Sequence, residues 1–459
     1  MHRFTKRQLL SLLWIPLFIA YICTSTNTIS WMQLICLPFV LQLLVSIVIH
    51  NVSPKRAELA TNLRSYKDKP YYQKENEIEK QHHYVRHHYT TTTTNKKYII
   101  VTPEKTSKKC VVWVPGFGRY FSHVSLSSQN IFGTDVDLCG LDLPYYGRSY
   151  MQTGGHRDLN NSYNNVPPTS CWDSFKRIFR CATYMRTSYY YDVYSETTQH
   201  LKNELGYDEI YFMCNSTSGL TMQCYIEEMY RNRKQNNNSN QNDAIDGLIF
   251  TAPFWWPTGK GLPLLNSPLF QLLNVIAFLY PSHMMMQDGI NQTWLSDGLD
   301  KAYASGRTNI SLDPVLNPVD NTPYYVEWLA MASEGQYYLS QLVQKLKGKE
   351  GKEGKEGQHG KENKMKLNRW NDEGNNNEGR PRAMLLTNNG TDHNVNVDVV
   401  HDFFQVLYPT KKMGDDDDTR SRYRYRIAFA NHEMMLSEKI QFEKACKCIR
   451  KFLIDGKKL

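Results

Sequence analysis

Hydrolysis of an acyl bond without a metal needs a hydroxyl to attack, an imidazole to take its proton and a carboxylate to hold the imidazole. The chain offers such a set in the order Ser216, Asp392, His432, each after a run of strand-forming residues. Ser216 follows the run IYFMCN at 210–215 and precedes Thr217, Ser218, Gly219 and a helix-like stretch over 220–230. A buried strand, a sharp turn with serine at its apex and a helix behind it is the layout of a nucleophile elbow. The strained apex requires small residues two places before and after the serine. Glycine is usual at both; here they are Cys214 and Ser218. The plainer reading of a serine between strand and helix is a helix cap. Asp392 stands in the exit of a strand expected at 383–387, and His432 follows a period-2 strand over 422–430. Asp398 competes with Asp392, because TDHNVNVDVV offers both; Asp392 is favoured as the nearer to the strand end. His393 and His401 compete with His432 for the role of base.

Composition narrows the surroundings of these groups. The chain has 459 residues, 41% hydrophobic and 12% aromatic, enough for one large domain with attachments. Its net charge of +9 is spread out or sits in a lysine–glutamate tract, so no nucleic-acid stripe forms and no nucleic-acid partner is expected. Ten cysteines lack metal-ligand spacing, and most read as reduced, buried small hydrophobes. No cofactor and no metal are expected. Asn-x-Ser/Thr sequons arise by chance in so asparagine-rich a chain and do not settle the compartment.

The elements that must position the set fall into three parts. Residues 1–52 read as a membrane anchor of two transmembrane helices, 9–23 and 29–49, joined by an uncharged connection. Arg3, Lys6 and Arg7 before the pair and Lys55 and Arg56 after it favour both ends, and the domain that follows, on the cytoplasmic side. A cleaved signal peptide followed by one anchor is the competing reading. Residues 53–96 are a polar linker with histidine pairs at 82–83 and 87–88. Residues 97–459 hold the alternating strands and helices of an α/β domain, with short buried strands expected at 98–102, 111–114 and 247–250. A helix is expected at 191–205, stopped by Gly206, and a final one at 436–452. Within the domain, about 253–338 reads as an inserted cap. Its apolar stretch 262–280 suits either a lid over an acyl-chain pocket or a helix packed on the core. The Gly-Lys-Glu repeat and polar tract over about 346–380 read as a disordered insertion.

The stretches VPGFGRYF, GLDLPYYGRS, YDEIYFMCNSTSGL, DGLIFTAPF and ANHEMMLS occur in that order between about 98 and 455. Together they resemble the serine-hydrolase branch of the α/β-hydrolase fold, and more closely its monoacylglycerol-lipase-like and "serine aminopeptidase" group, which includes lysophospholipases. The resemblance implies a mostly parallel central sheet with helices on both faces and an inserted cap. It implies Ser216 as nucleophile, Asp392 as acid and His432 as base. In such hydrolases the loop after an early strand supplies one oxyanion-hole N–H. With Pro115 in place of the usual histidine, the implied donors are the backbone N–H groups of Phe117 and Thr217. The implied partners are a lipid ester substrate, of monoacylglycerol or lysophospholipid type, and the bilayer; the oligomeric state is left open. Three features depart from the pattern: Asn215 before the serine, and the missing elbow glycines and His-Gly dipeptide. They leave open a catalytically silent scaffold or lipid-binding protein. A peptidase, thioesterase or acyltransferase of the same fold also stays open.

Overall fold

The computed structural model describes residues 79–80, 83–93, 96–104, 107–116, 121, 131–133, 135–144, 187–236, 245–257, 284–286, 324–353, 381–389, 392, 394–409, 423–428, 430, 432, 437 and 439–455. The apolar segments 9–23 and 29–49 and the stretch 262–280 lie outside them. Among the described residues, no helix is long and apolar enough to cross a membrane.

Eight strands form one sheet. In chain order they are β1 (Val85–Thr90), β2 (Lys97–Thr102), β3 (Lys109–Val114), β4 (Asp137–Asp142), β5 (Glu209–Asn215), β6 (Gly247–Thr251), β9 (Arg382–Asn388) and β10 (Arg424–Ile427). A separate antiparallel ribbon joins β7 (Met284–Met286) to β8 (Tyr324–Tyr325). In space the large sheet runs β1-β2-β4-β3-β5-β6-β9-β10. β2 is antiparallel to both β1 and β4, and every other pair is parallel. This is the mostly parallel sheet that the sequence leads one to expect.

Burial explains why the inner strands read as unbroken apolar runs. β3, β4 and β6 are buried along their whole length, and β5 at every residue but the first. Successive side chains go to opposite faces of a strand. Phe212 and Cys214 of β5 enter one core with helices α1 (Tyr191–Gln199), α2 (Thr217–Asn236), α3 (Val326–Glu353) and α4 (Val397–Leu407). Tyr211 and Met213 enter a second core, closed by α5 (Lys439–Asp455) through Ala445, Ile449 and Phe452. Helices therefore cover both faces. A π-helical turn, His200–Glu204, extends α1 and ends at Gly206, whose φ of +67° suits glycine.

Three boundaries differ from the sequence reading. Residues 85–90, assigned above to the linker, form edge strand β1, in register with β2 over its full length. Its histidines and threonines hide the strand pattern, yet they suit an edge. His87 bonds the Thr102 hydroxyl at 2.9 Å, and Tyr89 stacks on Tyr98 and on His200. The stretch assigned to the end of the cap is part of α3, whose Met331, Ala332 and Leu339 sit in the first core. Close packing there is set by Gly335, where a Cβ would lie 2.9 Å from Thr187 and 3.1 Å from Leu220. The same helix runs to Glu353, into the Gly-Lys-Glu repeat, whose lysines and glutamates are good helix formers.

Candidate active site

Three chain crossings of the sheet end at one edge, and each delivers one polar side chain. Ser216 follows β5 directly, Asp392 lies just beyond β9, and His432 just beyond β10. Parallel strands place their C-terminal ends together, so the three converge there. Ser216 Oγ lies 2.8 Å from His432 Nε2, and His432 Nδ1 lies 2.8 Å from Asp392 Oδ2.

Ser216 adopts φ +51°, in the left-handed region that side-chain-bearing residues avoid. Surrounding bonds hold it there. Its N–H donates to Thr251 O at 3.1 Å, and its carbonyl accepts from Phe254 N at 2.8 Å. Behind the turn, the Thr251 hydroxyl donates to Asn215 Oδ1 at 3.0 Å. Ala252 is a second left-handed residue, at φ +42°, in the exit of β6. That exit also reaches the acid loop: Asn396 N donates to Trp256 O, and Pro257 bridges to Val395. Trp255 is buried and its indole N–H donates to Gly219 O at 3.0 Å, which ties the same loop to α2.

The Asp392 side chain is fully buried, and that of His432 is 16% exposed. Burial pushes the Asp392 carboxyl up. The bond and charge of His432 and the N–H groups of Asn394 and Val395, at 2.7 and 3.1 Å from Oδ1, outweigh it and hold the group below its ordinary range. An ionised Asp392 accepts from Nδ1–H. This tautomer leaves Nε2 free to accept from the Ser216 hydroxyl.

The comparisons with known proteins agree in direction at low similarity. No family model matches the sequence, and no curated protein matches it. Among solved structures, a soluble variant of monoglyceride lipase from Saccharomyces cerevisiae is similar at 10% identity and a TM-score of 0.47, covering 81% of this chain and 95% of that one. A monoacylglycerol lipase from Paleococcus ferrophilus follows at 13% identity and a TM-score of 0.44, covering 81% and 99%. A bacterial membrane phospholipase A stands at 12% and 0.36, covering 92% and 98%. Similarities this low leave the chemistry to be argued from the side chains of this chain.

The competing residues are engaged elsewhere. Asp398 is in the first turn of α4, with its side chain 82% exposed and paired with Arg426 at 2.8 Å. His401 Nε2 lies 2.8 Å from the Thr387 hydroxyl. Burial first, then Arg426 and Arg424, pull its pKa down to about 4. His393 and Phe117 lie outside the described residues. Thr217 opens α2, so its N–H has no carbonyl one turn earlier to bind within the helix. The β3 exit lies against the serine: a Cβ on Gly116 would stand 2.9 Å from Ser216 Cβ. No group of three or more metal-ligating side chains occurs among the described residues.

Sequence reasoning missed Thr251, the Asn394 and Val395 N–H groups and the polar work of Ser218. Only Ser218 carried a signal, as a hydroxyl in a place usually given to glycine.

Proposed function

We propose that this chain is a membrane-anchored serine hydrolase of the α/β-hydrolase fold that cleaves carboxylic esters of lipids, of monoacylglycerol or lysophospholipid type. One observation carries the reading: a single imidazole stands 2.8 Å from both the Ser216 oxygen and the Asp392 carboxylate. In acylation His432 Nε2 takes the hydroxyl proton as Ser216 Oγ bonds to the acyl carbon. The tetrahedral oxyanion is held by the N–H of Thr217 and by that of Phe117. The C–O bond to the alcohol then breaks, and His432 returns the proton to the leaving oxygen. Water repeats the sequence in the second half: His432 takes its proton, hydroxide oxygen bonds to the acyl carbon, and Ser216 leaves with a proton. Asp392 steadies the imidazolium and remains ionised throughout.

The lipid assignment is supported by the apolar segments 9–23 and 29–49 and by the apolar stretch at 262–280. A fluorophosphonate probe tests the chemistry. The expected result is covalent labelling of the intact protein, lost in Ser216→Ala and His432→Ala. Absent labelling, or equal labelling of Ser216→Ala, would instead identify a silent scaffold. A panel of acyl esters, thioesters and peptide amides then ranks the bond cleaved, with monoacylglycerol and lysophospholipid expected first.

A further inference from the structure

The elbow holds its shape without the usual flanking glycines. Cys214 is buried and lines the first core, where burial pushes its thiol well above the ordinary range; it behaves as a small apolar residue. Ser218 differs, because its side chain makes bonds that a glycine lacks. Its Oγ lies 2.8 Å from the carbonyl oxygen of Asn215 and 2.7 Å from that of Val114. The first contact is the local habit of a serine in a helix's opening turn. The second joins residues 104 apart in the chain. Ladder pairing between β3 and β5 ends at Val114 and Cys214, so this hydroxyl adds a tie one step beyond the last pair.

What lies beyond that pair is the part of β3 closest to the candidate nucleophile. From Val114 the chain passes through Pro115 to Gly116. A Cβ on Gly116 would meet Ser216 Cβ at 2.9 Å and Asn215 Nδ2 at 3.1 Å. On the opposite side of the turn, Ser216 N bonds Thr251 O and the Thr251 hydroxyl bonds Asn215 Oδ1. The strained serine is therefore clasped from β6 by Thr251 and from β3 by Ser218.

We propose that Ser218 is a positioning residue whose buried hydroxyl fixes the exit of β3 against the Ser216 turn and so sets the spacing between that backbone and the attacking oxygen. The proposal rests on the reading of Ser216 as nucleophile. Small volume is all that the general elbow asks of this position; here the hydroxyl itself is required. A substitution that restores the usual glycine should thus impair this protein.

The test uses the full chain, with fluorophosphonate titration of active sites and p-nitrophenyl butyrate turnover. Ser218→Gly and Ser218→Ala both remove the hydroxyl, and the second adds no flexibility. In both, kcat per titrated site is expected to fall on the order of ten-fold, since small misplacements of reacting groups cost this much or more. KM is expected to stay within about two-fold, because ground-state binding is untouched. A merely structural role would lower the number of titratable sites and leave turnover per site unchanged. Wild-type kcat per site in Ser218→Gly, or a loss lying wholly in KM, overturns the proposal while leaving Ser216 as nucleophile. A wild-type protein that neither labels nor turns over substrate overturns the nucleophile reading, and this inference with it.

Discussion

Asp392 is the most completely held of the three site residues. One oxygen faces His432, the other takes two backbone N–H groups, and the side chain is sealed from solvent. Asp392→Asn keeps the shape but presents an amide to Nδ1, which favours the wrong imidazole tautomer. We expect kcat to fall by about 10⁴-fold, whereas Asp398→Asn, on an exposed side chain, stays within about two-fold of wild type. Steady-state kinetics of the two variants on one soluble ester separates the carboxylates. Gly116→Ala is expected to reduce kcat on the order of ten-fold or more, because its Cβ must move either the β3 exit or Ser216 itself. Turnover per fluorophosphonate-titrated site measures that loss. Much of the site was legible in the sequence because each side chain follows a strand-like run, and parallel strands gather such positions at one edge. The contacts that hold the site were not legible. Thr251 O, Phe254 N and the N–H groups of Asn394 and Val395 belong to the backbone, which carries no residue-type signature, and the fold alone brings them together.

Elements were readable where two-sided burial made the signal strong, as in β3, β5, β6 and β9. They were obscured where polar side chains suited an edge or helix formers continued past a boundary, as in β1 and α3. Charged residues at strand starts do work that periodicity does not reveal. Buried Lys109, opening β3, donates to Leu453 O at 3.1 Å and pairs with Glu209 at 2.7 Å. Arg382, opening β9, donates to Phe452 O at 2.7 Å, with its guanidinium over the Phe452 ring. Two cations thus meet carbonyls near the C-terminal end of α5, where the helix dipole favours positive charge. Lys109→Met is expected to cost roughly 1.5–3 kcal/mol, the range for a hydrogen bond to a charged group, measured as a lower urea midpoint. On α4, His401 bonded to Thr387 gives a pH-dependent contribution. Its folded pKa of about 4 lies below the unfolded value. Neutral His401 is therefore favoured by folding, and stability falls as pH drops from about 6.5 towards 4. Asp392, also depressed, adds a loss at lower pH as its carboxylate is protonated in the folded state. His401→Gln is expected to lose about 2–4 °C less of its melting temperature than wild type between pH 7 and pH 5. Scanning calorimetry at the two pH values measures the difference.

At the scale of the whole molecule, the described sheet and helices contain all three site residues and their supporting bonds. None of the described helices is long and apolar enough to cross a bilayer. Attachment to a membrane therefore has to come from segments 9–23 and 29–49, the second about as long as a bilayer-spanning helix requires. If they form an anchor, chemistry and location are separable. The full chain should sediment with membranes and resist alkaline carbonate extraction. A chain starting at residue 53 retains β1 through β10 and every contact described around Ser216, so it should leave the membrane fraction and still label with fluorophosphonate. On a soluble short-chain ester its kcat/KM should stay within about two-fold, since no site residue has changed. On monoacylglycerol dispersed in vesicles its rate should fall well below that of the full chain at equal protein, because the anchor concentrates enzyme and substrate in one layer. Full-length protein recovered wholly in the soluble fraction would refute the anchor. Equal rates for both chains on vesicles would show that residues 1–52 have no part in reaching the substrate, and the lipid preference would then have to come from the apolar stretch at 262–280.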